Sequence, residues 1–304
     1  MRDWVRRPAI IAEGLVKRYG TVTAVDQVSF EAAPGTVLGL LGGNGAGKTT
    51  TIAMLLGLLI PDSGRITVLG HDMATDRFAA LARMNFSSPY VSLPHRLSVR
   101  ENLTVYGHLY GVRGLSRRIA RLAEELELGP FLDRPAGQLS AGQKTRAALA
   151  KALINTPEVL LLDEPTASLD PDTADRVRGW LERYRDETGA TVVLASHNMA
   201  EVERLCSDVV MLKHGRVVDR GAPAALIGRY GRQDLEQVFL DIARGTGVAA
   251  GGRIVSGAMG EAERRHIARG TGVAAGGRIV SGAMGEAERR HIARGTGVAA
   301  GGGA

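Results

Sequence analysis

The sequence predicts an α/β domain with a largely parallel sheet, an antiparallel β flank and a small inserted helical lobe, followed by a disordered repetitive tail. The first observation is that short apolar runs alternate with helical patterns. VLGLL at 37–41 precedes KTTTIAMLLGLL at 48–59, and VLLL at 159–162 precedes TADRVRGWLERYRDE at 173–187. Such alternation favours buried parallel strands joined by helices. The second observation is an exact repetition of sequence from residue 242 onward.

The other parts of this fold rest on local patterns. Residues 9–35 are strand-like and alternate polar with apolar side chains, which is typical of an antiparallel flank. VVMLKHGRVVDRG at 209–221 predicts a β-hairpin. Residues 97–128 are charged and mostly helical in pattern, so we expect a helical lobe over about 85–150. The folded domain is therefore predicted to span residues 1–241.

The tail consists of one text copied several times. IARGTGVAAGGRIVSGAMGEAERRH fills residues 242–266 and recurs unchanged at 267–291, and a third copy begins at 292. Solenoid repeats share a pattern and not an identical text. The unit is rich in Gly and Ala and has no aromatic residue, so it buries too little surface to offset its ordering entropy. We expect residues 242–304 to be mostly disordered.

The net charge of +6 does not indicate a nucleic-acid-binding face. Residues 242–304 hold nine Arg, four Glu and neither Lys nor Asp, a net of +5. Residues 1–241 carry 29 basic and 28 acidic groups, a net of +1. Because the surplus lies in the tail, we expect no nucleic-acid partner.

The apolar stretches and the cysteine content indicate a cytosolic protein. The longest apolar stretches, AMLLGLLI at 53–60 and VLLL at 159–162, fall short of the ~20 residues that a spanning helix needs. No secretory apolar region follows the start MRDWVRRPAI. Cys206 is the only cysteine, so no internal disulfide is possible, which fits a reducing compartment.

A glycine-rich loop follows the strand VLGLL. GGNGAGKT at 42–49 fits G-x-x-x-x-G-K-[ST] and opens a helix, which predicts a P-loop NTPase core that binds ATP. Glycines let backbone N–H groups curl round a β-phosphate without Cβ clashes. Lys48 supplies charge to the β and γ oxygens, and Thr49 offers a hydroxyl to Mg²⁺. The predicted nucleotide-binding residues here are Gly42, Gly43, Asn44, Gly45, Ala46, Gly47, Lys48, Thr49 and Thr50.

Two acids and a histidine follow two other predicted strands. VLLLDEP brings Asp163 to the carboxyl end of a strand, where α/β sheets place ligands, and Asp163 is predicted to hold Mg²⁺. Glu164 is next in sequence and is predicted to act as general base toward the attacking water. His197 follows TVVLAS at the same sheet edge and is predicted to hydrogen-bond a γ-phosphate. With Lys48, these residues form the predicted catalytic set.

A second helix start resembles an anion site. LSAGQ places Ser140 three residues before Gln143, which is the spacing of a capping box. Gly142 lets a ligand approach the backbone closely. An exposed helix start of this kind suits an anion. One domain therefore has two phosphate-type helix starts, roughly ninety residues apart.

Four motifs in order resemble one known family. GGNGAGKTT, LSAGQ, LLLDEPTASLD and ASHNM are similar to those of the nucleotide-binding subunit of an ATP-binding cassette (ABC) transporter, over about residues 9–241. The resemblance implies subunits that dimerise head to tail, with ATP on the Lys48 loop of one capped by Ser140, Gly142 and Gln143 of the other. It therefore implies a second nucleotide-binding subunit as partner, either identical or a paralogue.

The resemblance assigns further residues and a biological setting. Tyr19 in LVKRYG resembles the aromatic residue that stacks on adenine, and Asp170 in SLD resembles an acid of the loop that crosses the dimer interface. LEQVFLDIA at 235–243 resembles the closing helix of exporter-type cassettes. The implied protein hydrolyses MgATP at the cytoplasmic face of the plasma membrane. It drives a separate membrane-spanning permease there, in the direction of export.

The sequence departs from the family pattern at three places. Gly43 stands where Pro is frequent, and Ala141 replaces a Gly of the signature. The family has a glutamine in the loop that links the two lobes, whereas residues 83–102 contain none. Asn85, Ser87 and Ser88 are the candidates to replace its polar contact.

Two alternatives remain open. One is a non-transport ATPase of the same superfamily. Its ribosome-associated type resembles two cassettes in one chain, whereas this chain has one. Its chromosomal type has a long coiled coil between the motifs, whereas only about ninety residues, without heptads of that length, separate Lys48 from Ser140 here. The other is a module that uses ATP as a switch without turnover. Glu164 and His197 argue against this module, and the missing glutamine leaves it open.

Overall fold

The computed structural model describes residues 7–89 and 91–245, which form two β-sheets with helices packed against them. The strands are β1 (Ile10–Tyr19), β2 (Val22–Ala32), β3 (Val37–Leu41), β4 (Ser63–Val68), β5 (His71–Asp72), β6 (Met84–Ser87), β7 (Val159–Asp163), β8 (Thr191–Ala195), β9 (Asp208–Lys213) and β10 (Arg216–Gly221). The helices are α1 (Lys48–Leu55), α2 (Arg77–Leu81), α3 (Val99–Leu109), α4 (Leu115–Glu125), α5 (Ala141–Leu153), α6 (Pro171–Thr188), α7 (Met199–Leu205), α8 (Pro223–Tyr230) and α9 (Leu235–Arg244). Two single turns of 3₁₀ helix precede α5, at Gly129–Phe131 and Ala136–Gln138.

The larger sheet has six strands in the order β10-β9-β3-β8-β7-β6. All neighbours pair in parallel except β9 and β10, which form the predicted hairpin. Strands β3, β7 and β8 are buried along their whole length, as expected for apolar runs covered by helices on both faces. The predicted α/β fold with a largely parallel sheet is confirmed.

The smaller sheet is the predicted antiparallel flank. Its four strands follow the order β2-β1-β4-β5, and each neighbouring pair is antiparallel. Alternate residues of β2, among them Val28 and Phe30, are buried, while the residues between them face solvent. Because side chains alternate between the two faces, one face of the flank packs on an apolar core, and α1 packs on the same core.

The helical lobe contains α3, α4 and α5. Leu103, Leu122 and Phe131 are among its fully buried side chains, so these helices share one apolar core. The predicted limits of about 85–150 were wrong at the start. Residues Met84–Ser87 form the edge strand β6 of the larger sheet, paired in parallel with β7. Buried Asn85 and Ser87 give this strand a polar composition that hid it in the sequence.

Helix α9 ends the described fold and corrects the predicted domain boundary at residue 241. It continues to Arg244, and Gly245 closes it in the left-handed conformation with φ of 69°. Lys213 donates from Nζ to the Ile242 carbonyl at 2.7 Å, so the first residues of the repeat belong to this helix. The predicted disorder of the tail otherwise falls on residues 246–304, outside the described residues.

Cys206 is buried and packs within the core. Burial raises the pKa of its thiol well above the usual range, which leaves it protonated and unreactive. Among the described residues, no helix is both long and apolar enough to cross a membrane.

Candidate functional site

The phosphate loop leaves its helix start open. Helix α1 begins after Gly47, whose φ of 101° is a left-handed conformation that glycine adopts readily. No side chain caps this start. A Cβ on Gly47 would lie 2.7 Å from the Ala24 carbonyl oxygen, so this position excludes any other residue. The uncapped N–H groups at a positive helix end suit a phosphate.

The loop is held from two sides. The Gly215 N–H, in the turn of the β9–β10 hairpin, donates to the Ala46 carbonyl at 3.2 Å, and the Asp26 N–H donates to the Gly215 carbonyl at 2.8 Å. The flank strand β2 and the hairpin therefore both brace the loop. A rigid loop keeps its N–H groups oriented before a ligand arrives, which lowers the ordering cost of binding.

Lys48 folds back over its own loop. Its Nζ donates to the carbonyls of Gly42 at 2.5 Å and Gly43 at 3.2 Å. Burial lowers the pKa of Lys48, and the charges of Glu164 and Asp163 act in the opposite direction. The lysine thus lies within the electrostatic reach of both acids.

Asp163 is the last residue of β7 and is 5% exposed. Burial raises its pKa, while the hydroxyl of Ser88, which donates to Oδ2 at 3.2 Å, lowers it. Lys48 also lowers the pKa of Asp163. The charge of Glu164 raises the pKa of Asp163 further, so the net shift is upward.

Glu164 and His197 form a pair at the same edge. Nδ1 of His197 lies 2.7 Å from Oε1 of Glu164, which is a hydrogen-bond distance. The Glu164 backbone has a φ of 50°, a strained conformation for a residue with a side chain, and its N–H donates to the Ala195 carbonyl at 2.8 Å. Such strain occurs where surrounding structure over-determines a functional side chain. The His197 side chain is 72% exposed, so its ring also faces solvent.

A buried acid that sequence analysis missed supports this pair. Glu201 is completely buried and accepts hydrogen bonds from Thr166 Oγ1 at 2.8 Å and Ser196 Oγ at 2.6 Å. Its two oxygens therefore tie together the loops that carry Glu164 and His197. The spacing Asn-x-x-Glu at the start of α7, with Asn198 as N-cap, was the available signal.

The second helix start has the predicted capping box. The Gln143 N–H donates to Ser140 Oγ at 3.3 Å, and the Ser140 N–H donates to Gln143 Oε1 at 3.1 Å. Gly142 packs against the segment before α6, since a Cβ there would lie 3.5 Å from the Ser168 carbonyl oxygen. Asp170 is the N-cap of α6 and accepts from the Thr173 N–H at 3.0 Å. The α5 start and the α6 start thus lie side by side.

Not all predicted residues meet within one chain. Tyr19 ends β1 with 51% of its surface exposed. Among the described residues, no hydrogen bond or ion pair joins Tyr19, Ser140 or Asp170 to Lys48. The acids, the histidine and the lysine gather at one sheet edge, and the first turn of α5 lies across a cavity from the two acids.

Known proteins have sequences similar to this one. The ABC transporter family model matches residues 25–167. Nod factor export ATP-binding protein I of Paraburkholderia xenovorans (strain LB400) is 40% identical over 237 residues, 76% of this chain and 76% of that protein. The protein of the same name from Rhizobium sp. (strain N33) is 41% identical over 225 residues, 72% of each chain.

Solved structures share the fold. The structure of the ATP-binding subunit of an ABC transporter superposes with a TM-score of 0.72 at 25% identity, covering 77% of this chain and 99% of that chain. A dimeric bacterial ABC transporter cassette, with a TM-score of 0.66 and 24% identity over 70% of this chain and 98% of that one, shows the fold alone. Together with the relatives, these matches confirm the resemblance seen in the four motifs. The chain therefore belongs to the ABC transporter family, as an ATP-binding subunit with ATPase activity.

Proposed function

We propose that the chain binds MgATP on the Lys48 loop, closes over it as a head-to-tail dimer and drives a separate membrane-spanning subunit for export. The observation that carries the proposal is the gathering of Lys48, Asp163, Glu164 and His197 at one sheet edge. Around a γ-phosphate, this set provides a cation, an acid suited to a metal and a candidate base with its own hydrogen-bond partner.

The residues take separate roles. The N–H groups of the loop and Lys48 hold the β- and γ-phosphates. Glu164 accepts a proton from the attacking water, because it is the acid that a histidine orients while Asp163 is buried behind it. His197 keeps Glu164 in place through Nδ1 and leaves its other ring nitrogen for the γ-phosphate. Tyr19, exposed at the end of β1, stacks on the adenine.

The chain also fits a magnesium ion. Mg²⁺ is usually bound by one or two carboxylates and by substrate phosphates, with waters completing its shell. Asp163 offers a buried carboxylate, and Thr49 an exposed hydroxyl in the first turn of α1. Both are hard oxygen donors, so we assign them to the ion. When bound, the ion neutralises charge on the phosphates.

The α5 start completes the site of a second subunit. Ser140, Gly142 and Gln143 contact the γ-phosphate of the nucleotide held by the neighbour. Asp170 lies at the same interface, because the starts of α5 and α6 are adjacent. The support is that the α5 start is exposed and capped, and that no hydrogen bond or ion pair joins Ser140 to Lys48 among the described residues. ATP then bridges the two subunits, and hydrolysis removes the bridging charge.

Export and location are inferred from the relatives. The relatives above are named as export ATP-binding proteins, and those names apply to them. We infer that this chain also serves an exporter, bound to its permease at the cytoplasmic face of the plasma membrane. Residues 1–245 form the working ATPase unit and residues 246–304 take no part in it. We propose no nucleic-acid partner.

The rate of MgATP hydrolysis, measured at increasing protein concentration, tests the proposal. A specific rate that rises with concentration and then levels off indicates a dimeric enzyme. A rate independent of concentration over the whole range contradicts the shared site. Tight ATP binding without any turnover supports the switch module instead.

A further inference from the structure

The segment between β6 and α3 connects the larger sheet to the helical lobe, and it is the stretch that lacks a glutamine. Three polar candidates lie near the site: Ser88 at the start of this segment, and Asn85 and Ser87 in β6 before it. Side-chain contacts distinguish them. Nδ2 of Asn85 donates to Asn155 Oδ1 at 2.8 Å and to the Lys151 carbonyl at 3.3 Å, so this amide is directed toward the end of α5 and away from Asp163.

The strand register separates the two serines. Ser87 pairs with Leu162 in the parallel register of β6 and β7. One residue further along, Ser88 comes level with Asp163, and its Oγ donates to Asp163 Oδ2 at 3.2 Å. Ser88 is 5% exposed, as is Asp163. The hydroxyl therefore meets the carboxylate where water is almost excluded.

The end of β6 is also anchored from the helical lobe. Lys151 of α5 donates from Nζ to the Phe86 carbonyl at 2.6 Å, two residues before Ser88. The same Nζ lies 5.6 Å from the ring centre of Tyr106 on α3. A shift of α3 or α5 relative to the sheet is thus transmitted to the peptide that positions Ser88.

A cavity lies beside Ser88. It has a volume of about 170 Å³ and lies between the loop, the two acids and the first turn of α5. Ser88, Leu93, Ala141 and Glu164 are among the residues that line it. The hydroxyl of Ser88 therefore connects the buried carboxylate of Asp163 to a loop that borders this cavity.

We propose that Ser88 is a positioning residue for the metal-binding carboxylate: it replaces the missing glutamine by holding Asp163 from the lobe-linking loop. The inference rests on the proposed role of Asp163 toward Mg²⁺. A donor to one carboxylate oxygen orients the group and leaves acceptor capacity for the ion. Partners of this kind commonly contribute 10- to 100-fold to metal affinity. Through Lys151 and β6, the position of the helical lobe then controls how well Asp163 is oriented.

The test measures metal binding without turnover. The full chain carries Glu164→Gln to prevent hydrolysis and is loaded with ATP. Binding of Mn²⁺, a paramagnetic substitute for Mg²⁺, is followed by electron paramagnetic resonance. We expect Ser88→Ala to weaken Mn²⁺ binding about tenfold. Ser88→Thr, which keeps a hydroxyl, should retain most of the affinity.

Ser87→Ala is the matched control, because it removes a hydroxyl one residue earlier on the same strand, opposite Leu162. It should change Mn²⁺ affinity less than twofold. Asp163→Asn removes the proposed metal ligand and shows the largest loss of Mn²⁺ affinity to expect. ATP affinity measured without metal should be unchanged in Ser88→Ala. Should Ser88→Ala melt well below the parent, Ser88→Cys replaces it, since a thiol keeps the volume and donates weakly.

The outcomes separate the two proposals. Failure of the parent chain to bind ATP overturns the proposed function. If the parent binds ATP and Mn²⁺, and Ser88→Ala binds Mn²⁺ as tightly as Ser87→Ala does, the positioning role of Ser88 is wrong while the proposed function stands. Loss of affinity in both serine variants alike also contradicts a specific role for Ser88.

Discussion

The starts of α1 and α5 are built for different partners although both are phosphate-type in sequence. At α1 a left-handed Gly47 takes the N-cap position and no side chain satisfies the first N–H groups. At α5 the side chains of Ser140 and Gln143 exchange hydrogen bonds with each other's backbone. The first start therefore has several open donors, whereas at the second the capping box already satisfies two of the first four N–H groups, those of Ser140 and Gln143.

This difference supports separate roles for the two helix starts. The open, braced loop at α1 can enclose a phosphate of its own ATP, while the capped start of α5 can contact an ATP that the loop of a second subunit already binds. A capping box alone does not indicate a ligand site. Ser98 and Glu101 form the same capping box at the start of α3, with nearly the same backbone angles. In the proposed dimer, α5 and α3 differ in what their starts face.

Glu164→Gln should give the largest effect. Removing the general base is expected to lower turnover about 10²- to 10⁴-fold, while ATP still binds and holds two subunits together. Phosphate release and sedimentation at saturating MgATP measure the two properties. Glu158→Gln, at the opposite end of β7 and paired with Arg83, is the control that should stay fully active. A Glu164→Gln chain that remains monomeric with ATP bound contradicts the shared site.

Lys48→Ala should weaken the binding of ATP at the α1 start. Loss of a charge-assisted contact to phosphate costs about 1.5–3 kcal/mol, so ATP affinity should fall roughly 10- to 150-fold, and turnover with it. Titration with a fluorescent ATP analogue measures the affinity. Lys17→Ala removes a lysine that pairs with Asp62 instead, and it should leave ATP binding unchanged. Unchanged ATP affinity in Lys48→Ala would falsify the assignment of the loop.

The far end of α5 should respond to pH through Lys151. Burial lowers the pKa of Lys151 to about 8 in the folded chain. The unfolded chain binds this proton up to about pH 10.5, so between pH 8 and 10.5 the unfolded state holds more protons and stability rises with pH. The rise is at most about 3 kcal/mol. We expect it in the urea unfolding free energy of the parent and not in Lys151→Met. Parallel pH profiles of the two proteins contradict the buried-charge account.

Ser140→Ala should give a smaller effect that separates capping from ligand contact. Loss of an N-cap costs about 1 kcal/mol, and Ser98→Ala is expected to lose the same amount from α3. Turnover should fall only in Ser140→Ala, because in the proposed dimer only α5 faces the nucleotide of the neighbour. Equal losses of turnover in both variants would mean that Ser140 only caps α5, and would contradict its contact with the nucleotide.

The sequence predicted those parts of the site that depend on local spacing. The Lys48 loop, the strand that ends in Asp163 and the Ser140 capping box each follow from neighbouring residues, and all three stand in the structure. The contact between Ser88 and Asp163 depends on the register of two strands far apart in sequence, which no local pattern reveals. The Glu201 network is hidden for the same reason.

Two element limits were missed for physical reasons as well. Strand β6 carries buried Asn85 and Ser87, whose polarity masks an edge strand. Helix α9 continues past the start of the repeat because Ile242 packs on the core and its carbonyl accepts from Lys213. Tertiary contacts therefore decided both limits against the local composition.

Cross-linking between two differently tagged chains tests most directly whether the two helix starts meet across a dimer. One chain carries Asn44→Cys in the phosphate loop, the other Ala141→Cys at the start of α5, and both carry Glu164→Gln. Cys206 is buried and stays unreactive. With a short bismaleimide we predict a product that joins the two tags and requires MgATP. ATP-bound chains that give no such product, or the same amount without ATP, would contradict the account.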